Sequence, residues 1–192
     1  MNTSQLEFQK VYEDFQPKIL RYLAHLVGES DADDLVQETF IKVHQALGGF
    51  RGESQLSTWI YRIATNTALD KLRSPSFQQT KQIFAPDELE EIGAANGAIP
   101  LEGKKLPIEK ELIRAEMNQC IRDYIEKLPE DYRMVLVLSE YEELKNSEVA
   151  EILGVSLETV KIRLHRAKEK LKKELKEHCE FYWIEEMPCS VK

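Results

Sequence analysis

The chain has few cysteines, lacks long apolar runs and has fewer basic than acidic residues. The first two of these shortages each exclude a class of protein. Its three cysteines, Cys120, Cys179 and Cys189, are too few and too unevenly spaced for a disulfide framework, so we expect reduced thiols. No apolar run approaches the roughly 18 residues of a membrane span, and the polar first residues do not resemble a signal peptide. The sequence predicts a cytoplasmic protein without membrane insertion.

The overall charge is unfavourable for unaided binding of DNA. Acidic residues number 34 against 26 Lys and Arg, which leaves a net charge of −8. Nonspecific affinity for DNA comes largely from cationic side chains that release counterions from the phosphates. If the chain binds DNA, we expect either a partner that recruits it or an acidic segment that masks its basic surface.

Strand-like alternation is also scarce, and helical spacing of apolar residues dominates. Gly28 and the pair Gly48-Gly49 are predicted to end helices, and Asp31 is the expected N-cap of the second helix. Periodicity disappears after Ser74, where prolines, glycines and acidic residues accumulate, and it returns at Ile108. We predict an all-α fold of two small helical domains, 1–74 and 112–176, joined by a flexible acidic linker, 75–111, and followed by a tail, 177–192.

A helix-turn-helix is predicted near the end of the second domain. Gly154 supplies a sharp turn between two amphipathic helices, and Ser156 is placed to cap the second of them. From Ser156 to Lys176, eight Lys and Arg less three Glu leave +5, although the whole chain is acidic. A solvated surface helix is the alternative explanation, but turn, cap and apolar spacing all agree with a DNA-binding helix. Its buried face is predicted to carry Val160, Leu164, Ala167 and Leu171, and its basic face Lys161, Arg163, Arg166 and Lys168.

Three stretches resemble a known family. They are DADDLVQETFIKV at 31–43, FRGESQLSTWIYRIATN at 50–66 and TVKIRLHRAK at 159–168. In this order they resemble bacterial RNA polymerase sigma factors of the extracytoplasmic-function (ECF) type, over about residues 6–74 and 112–173. The resemblance implies a promoter-specificity subunit with sigma region 2 and region 4 domains, not an enzyme and without cofactors. Its implied partners are core RNA polymerase, promoter DNA and an anti-sigma factor.

The resemblance implies that the helix from Asp34 to about Leu47 binds the clamp helices of the polymerase. An acidic, amide-bearing face with an aromatic anchor suits a basic partner. The alternative is that Leu35 and Phe40 are core residues and the acidic ones merely solvated. The implied contact residues are Asp34, Leu35, Gln37, Glu38 and Phe40.

The loop after this helix, together with the next helix, resembles the element that opens the promoter and captures a flipped base. Unstacked bases bind aromatic faces and amide edges, and phosphates bind arginine. Trp59 could instead simply pack in the core. The implied residues are Phe50, Arg51, Ser54, Trp59, Tyr61, Arg62, Asn66 and Arg73.

By the same resemblance, the helix-turn-helix reads the upstream promoter element. At position 162 the family has a small polar residue, whereas this chain has Ile162, which could touch a thymine methyl. The implied DNA contacts are Lys145, Asn146, Ser156, Thr159, Lys161, Arg163, Arg166 and Lys168.

The tail and Cys120 give the remaining interpretations. His178, Cys179 and Cys189 are weak candidates for metal binding or redox sensing, because their spacing matches no standard zinc pattern. Cys120 lies on an apolar helical face and is expected to be a small core residue. Two competing functions stay open: an ordinary helix-turn-helix regulator that acts as a dimer, and an adaptor that senses redox state or metal through its tail.

Overall fold

The computed structural model describes residues 3–78, 117–118 and 120–178, and every regular element among them is helical. The predicted all-α fold of two small helical domains is confirmed. The linker predicted between the domains lies mostly outside the described residues, as do Cys179, Cys189 and the rest of the tail.

The first domain contains three long helices. They are α1 (Thr3–Val27), α2 (Glu29–Leu47) and α3 (Leu56–Arg73). α1 continues through Pro17 and ends at Gly28, whose φ of 95° is accessible to glycine without a steric penalty.

The predicted N-cap of α2 is wrong by three residues. Gly28 occupies the N-cap position, and Asp31 lies within the first turn, where an acidic side chain interacts favourably with the helix dipole. The Asp31 carboxylate pairs with Lys71 of α3 at 2.6 Å, so it ties two helices together.

The first domain extends past the predicted boundary at residue 74. Residues 75–78 form a short helical turn, and Phe77 within it is buried. This turn therefore packs on the first domain, although the sequence placed the start of the linker at residue 75.

The second domain contains the helices α4 (120–127), α5 (Glu130–Leu136), α6 (Asn146–Leu153) and α7 (Leu157–His178). α5 leads into a π-helical turn, Val137–Tyr141, in which each backbone hydrogen bond spans one residue more than in an α-helix.

The buried side chains of both domains form one contiguous hydrophobic cluster. Ile19 and Leu23 of α1, Ile60 of α3, and Val137 and Val149 of the second domain are all fully buried within it. α3 packs along α6, and α1 packs against α5 and the π-helical turn, so the two domains are in direct contact.

Among the described residues, none of the helices has the length and hydropathy needed to cross a membrane.

Candidate nucleic-acid interface

The turn between α6 and α7 has the predicted geometry. Gly154 adopts the left-handed conformation, with φ 64° and ψ 32°, and its N–H donates to the carbonyl of Ala150. Ser156 caps α7, because its Oγ accepts a hydrogen bond from the backbone N–H of Thr159 at 3.1 Å. Glycine and cap together fix the direction in which α7 leaves the turn.

α7 buries one face and exposes the other. Val160 and Ala167 are fully buried, and Leu164 and Leu171 pack partly against the core, as predicted. Two apolar side chains on the opposite face, Leu157 and Ile162, are each 43% exposed. The exposed cationic side chains beside them are Lys161 and Arg166.

Several of the predicted DNA contacts already have partners within the protein. Arg163 pairs with Asp131 of α5 at 2.7 Å, and Lys168 pairs with Glu140 at 2.8 Å. The hydroxyls of Ser156 and Thr159 share a hydrogen bond of 2.8 Å. At the start of α6, Lys145 is exposed and Asn146 is half-buried. Of the predicted DNA contacts, the exposed cations without an ion pair to a described residue are therefore Lys161 and Arg166 in the first half of α7 and Lys145 at the start of α6.

The loop and helix expected to hold a flipped base are only partly accessible. Trp59 is half-buried against Phe50, with ring centroids 5.1 Å apart, so the packing role considered for Trp59 is present. Ser54 is also half-buried, whereas four polar residues are exposed: Arg51, Arg62, Asn66 and Arg73.

Tyr61 does not offer the aromatic face that the sequence suggested. Its side chain is 3% exposed, and its hydroxyl donates to a carboxylate oxygen of Glu142 at 2.5 Å. Burial and the neighbouring carboxylate raise the pKa of Tyr61 above its ordinary value of 10.0, so the phenol stays a donor. In this arrangement of the domains the ring of Tyr61 is not accessible to a base, so the predicted stacking would require the domains to separate.

Two residues that sequence reasoning missed complete this contact. Glu142 also accepts two hydrogen bonds from the guanidinium of Arg21, each 2.9 Å long. Nothing in the sequence distinguishes Glu142 from its neighbour Glu143, and Arg21 lies on α1 outside every motif. Only the meeting of the two domains gives them a common role.

Of the residues predicted to contact the polymerase on α2, some are exposed and others are buried. Asp34, Gln37 and Glu38 are exposed, as a docking face requires. Leu35 and Phe40 are only 4% and 3% exposed, so the core interpretation of these two side chains is the correct one. Beside them, Ile41 is 57% exposed, although it is not among the predicted contact residues.

Cys120 departs from its expected state. It is half-buried, and it is disulfide-bonded rather than a reduced core thiol. Within the described part of the chain, no group of three or more His, Cys, Asp or Glu is arranged to hold a metal ion. The metal candidates Cys179 and Cys189 and the side chain of His178 lie outside the described residues.

Two family models match the two halves of the chain. Sigma-70 region 2 matches residues 11–77, and Sigma-70 region 4 matches residues 118–171. The second match includes α6, the turn at Gly154 and α7 as far as Leu171, and the first includes α2, the loop and α3.

Individual relatives match over most of the length. The ECF RNA polymerase sigma factor SigW of Bacillus subtilis is 31% identical over 175 residues, which cover 88% of this chain and 89% of that protein. The ECF RNA polymerase sigma-E factor of Escherichia coli K12 is 36% identical over 169 residues, 86% of this chain and 84% of the relative.

Solved structures share the fold. CnrH, in complex with the cytosolic domain of CnrY, superposes with a TM-score of 0.62 at 22% identity, covering 91% of this chain and 90% of CnrH. The sigma factor RpoE of Bartonella quintana, in complex with the anti-sigma factor NepR, gives 0.63 at 21% identity, covering 88% and 97%. With both region models matched in order and curated relatives above 30% identity along most of the sequence, this chain belongs to the ECF RNA polymerase sigma factors.

Proposed function

We propose that this sigma factor binds core RNA polymerase through α2, reads the upstream promoter element with α7, and helps to open the DNA with the loop and helix from Phe50 to Arg73. It acts by binding, in the cytoplasm, and makes or breaks no covalent bond. In this proposal residues 1–78 are the region 2 domain, 79–111 the linker, and 112–176 the region 4 domain. The observation that carries the proposal is the exposed basic and apolar face of α7, held by the Gly154 turn and the Ser156 cap.

On α7, cations and apolar groups alternate in a way that suits the major groove. Lys161 and Arg166 are exposed and form no ion pair within the part of the chain that the structure describes, so they are available to phosphates or to the acceptor edge of guanine. On the same face, Leu157 and Ile162 offer apolar surface to thymine methyl groups. Arg163 and Lys168 exchange their acidic partners for phosphates if they contact DNA, so we expect them to contribute less.

On α2, the exposed Asp34, Gln37 and Glu38 form the polymerase-facing surface. Acidic side chains steer a basic partner, and the exposed Ile41 adds an apolar anchor to the same helix. Leu35 and Phe40 support this surface from within the core. Phe40 does so against the ring of Tyr12 of α1, with centroids 4.9 Å apart.

On α3 and the preceding loop, the exposed Arg51, Asn66 and Arg73 are the side chains available to a melted strand. The Phe50 and Trp59 pair forms an aromatic edge beside them. Tyr61 and Arg62 join this surface only after the second domain moves away from α3.

An anti-sigma factor is the third proposed partner. Of the two structural neighbours, RpoE is a sigma factor in complex with the anti-sigma factor NepR, and CnrH is in complex with the cytosolic domain of CnrY. A chain of net charge −8 with an exposed basic helix also suits regulation by masking.

The first test mixes the purified chain with bacterial core RNA polymerase, follows complex formation by gel filtration, and then maps transcription starts on a genomic fragment library. We expect a stable complex and specific starts. A dimer that binds DNA tightly and ignores the polymerase would identify an ordinary regulator and overturn the proposal.

Matched variants assign the surfaces. Arg166→Ala should weaken promoter recognition by about 1–3 kcal/mol and relax sequence preference, because a base contact is lost. Lys172→Ala, on an exposed position farther along α7, should lower the affinity uniformly and leave the preference unchanged. For α2, the pair Asp34→Arg and Glu38→Arg should weaken the polymerase complex, whereas Asp14→Arg on α1 should not.

A further inference from the structure

A buried carboxylate joins the two domains. Glu142 follows the π-helical turn, and its side chain is 1% exposed. Both of its side-chain partners come from the first domain: Arg21 of α1 donates twice, and Tyr61 of α3 donates once. A carboxylate is removed from water only where such charged and polar donors replace its hydration, so this contact is specific.

Further contacts surround this one. Arg62 of α3 donates two hydrogen bonds, of 2.6 and 3.2 Å, to the backbone carbonyl of Glu151 in α6. Arg133 of α5 donates to the carbonyl of Leu26 at the end of α1, at 2.7 Å. The rings of His25 and Tyr141 pack with their centroids 4.5 Å apart. Each of these contacts joins a residue before position 78 to one after position 120.

The covered surface coincides with part of the proposed DNA surface. Tyr61 is buried at the contact, and the guanidinium of Arg62 is occupied by a carbonyl of the helix-turn-helix. We propose that Glu142 is an autoinhibitory latch, which holds the helix-turn-helix domain on α3 and keeps Tyr61 and Arg62 from DNA until the domains separate. This inference rests on the proposed function in its assignment of these two residues to DNA.

Opening then has to be driven by a partner that binds the separated form more tightly. A ligand shifts such an equilibrium only by its difference in affinity for the two states. Core polymerase bound at α2, together with promoter DNA bound at α7, supplies this difference if the two binding positions in the transcription complex are farther apart than the closed chain allows. The latch thereby couples uncovering of the α3 surface to arrival at the polymerase.

Charge reversal tests the latch in the full chain. Glu142→Arg and Arg21→Glu each place like charges together, so both should increase the radius of gyration measured by small-angle X-ray scattering. The double variant restores an opposite pair and should return the radius to that of the unchanged chain. Glu143→Arg is the matched control, because Glu143 is exposed and adjacent and the change in net charge is the same; it should leave the radius unaltered.

A second measurement tests the masking. Affinity for a short, fluorescein-labelled single strand of DNA is read by anisotropy, without polymerase. Glu142→Arg should bind the strand about fivefold or more tightly than Glu143→Arg, which is typical of coupling between two sites. Adding Arg62→Gln to Glu142→Arg should remove most of this gain, since the gain comes from the uncovered α3 surface.

The outcomes separate the latch from the proposed function. Unchanged radii in folded single variants would overturn the latch, as would expansion without a gain in affinity over Glu143→Arg. If reversal prevents folding, as judged by circular dichroism, the milder Arg21→Gln gives the same readouts from the more exposed partner. Loss of polymerase binding in all variants and in the unchanged chain would instead refute the proposed function, and the scattering result would still decide whether the latch exists.

Discussion

At the contact between the domains, His25 is a partly buried residue whose side chain can gain or lose a proton. His25 of α1 is half-buried beside Tyr141, with Arg122, Glu142 and Arg21 as its charged neighbours. Burial, followed by the positive charge of Arg122, lowers the pKa of His25 below its ordinary 6.5. The folded protein therefore prefers the neutral imidazole.

This preference makes stability depend on pH. The unfolded chain takes up the His25 proton more readily than the folded chain, so stability rises with pH until the unfolded pKa of 6.5 is passed. His25 thus contributes fully above that pH, and its contribution is lost as the pH falls from 6.5 toward the folded pKa. We expect His25→Gln to lose less stability than the unchanged chain between about pH 7.5 and 5.5, as measured by urea unfolding. His165→Gln, on the exposed face of α7, should follow the unchanged chain.

At the scale of elements, the turn between α6 and α7 depends on one glycine. Gly154 has a positive φ and open space around its Cα, so a methyl group there meets backbone strain rather than a clash. Gly154→Ala should lower the free energy of unfolding by about 1–2 kcal/mol, the cost of the left-handed conformation for a residue with Cβ.

The control for this prediction is another exposed glycine at a helix end. Gly48 ends α2 in the right-handed helical conformation, with φ −65° and ψ −19°, and it also has open space. Gly48→Ala should be neutral or stabilise by about 0.5–1 kcal/mol, because alanine loses less conformational freedom on folding. Equal destabilisation in both variants would contradict the role assigned to the Gly154 backbone.

Most element ends could be predicted from the sequence, for reasons visible at Gly28, Gly48 and Gly154. Each glycine combines with a change in apolar spacing, and two of the three have a positive φ in the structure. The start of α2 was misplaced because Asp31 has the chemistry of an N-cap but lies two residues inside the helix. The π-helical turn could not be predicted, since Val137 and Leu138 fit an α-helix equally well by their spacing.

At the scale of the whole molecule, Arg133 connects elements that are distant in sequence. Its guanidinium donates to the carbonyl of Leu26 in one domain and to the carbonyls of Glu126 and Leu128 in the other. Burial lowers the pKa of Arg133, although the nearby Glu126 and Glu130 oppose this shift. The side chain therefore satisfies the end of α4 and contacts the end of α1 at once.

Removal of the Arg133 side chain should destabilise the end of α4 and weaken the contact between the two domains. Arg133→Met leaves buried carbonyls without donors, and each costs about 1–3 kcal/mol. We expect a lower midpoint in urea unfolding, with separate transitions for the two domains where the unchanged chain shows one. Arg122→Met is the control, because Arg122 is half exposed and reaches its partner Glu29 only at 4.0 Å. A single transition of unaltered midpoint for Arg133→Met would show that Arg133 does not couple the domains.

The docking of the domains was beyond what the sequence could predict. The helix-turn-helix follows from local features such as Gly154 and Ser156, whereas the burial of Tyr61 depends on a carboxylate 81 residues away in the chain. Composition and periodicity describe each helix by itself. They do not predict which helix face of one domain will contact the other domain. The same holds for the candidate polymerase surface: the family resemblance selected Asp34, Glu38 and Phe40, but only packing shows that Phe40 is inside and Ile41 outside.

The contact between the domains depends on the extra residue that the π-helical turn contains, because this residue sets the direction of the Glu142 side chain. The backbone N–H of Glu142 donates to the carbonyl of Val137, five residues back, at 3.1 Å. Deleting one residue from Val137–Tyr141 would restore α-helical spacing and rotate the following chain by about 100°, the angle per residue of an α-helix. That rotation would turn the carboxylate of Glu142 away from Arg21 while every side chain involved is kept. We therefore expect deletion of a single codon at this turn to abolish the closed form while the sequence of α7 is unaltered.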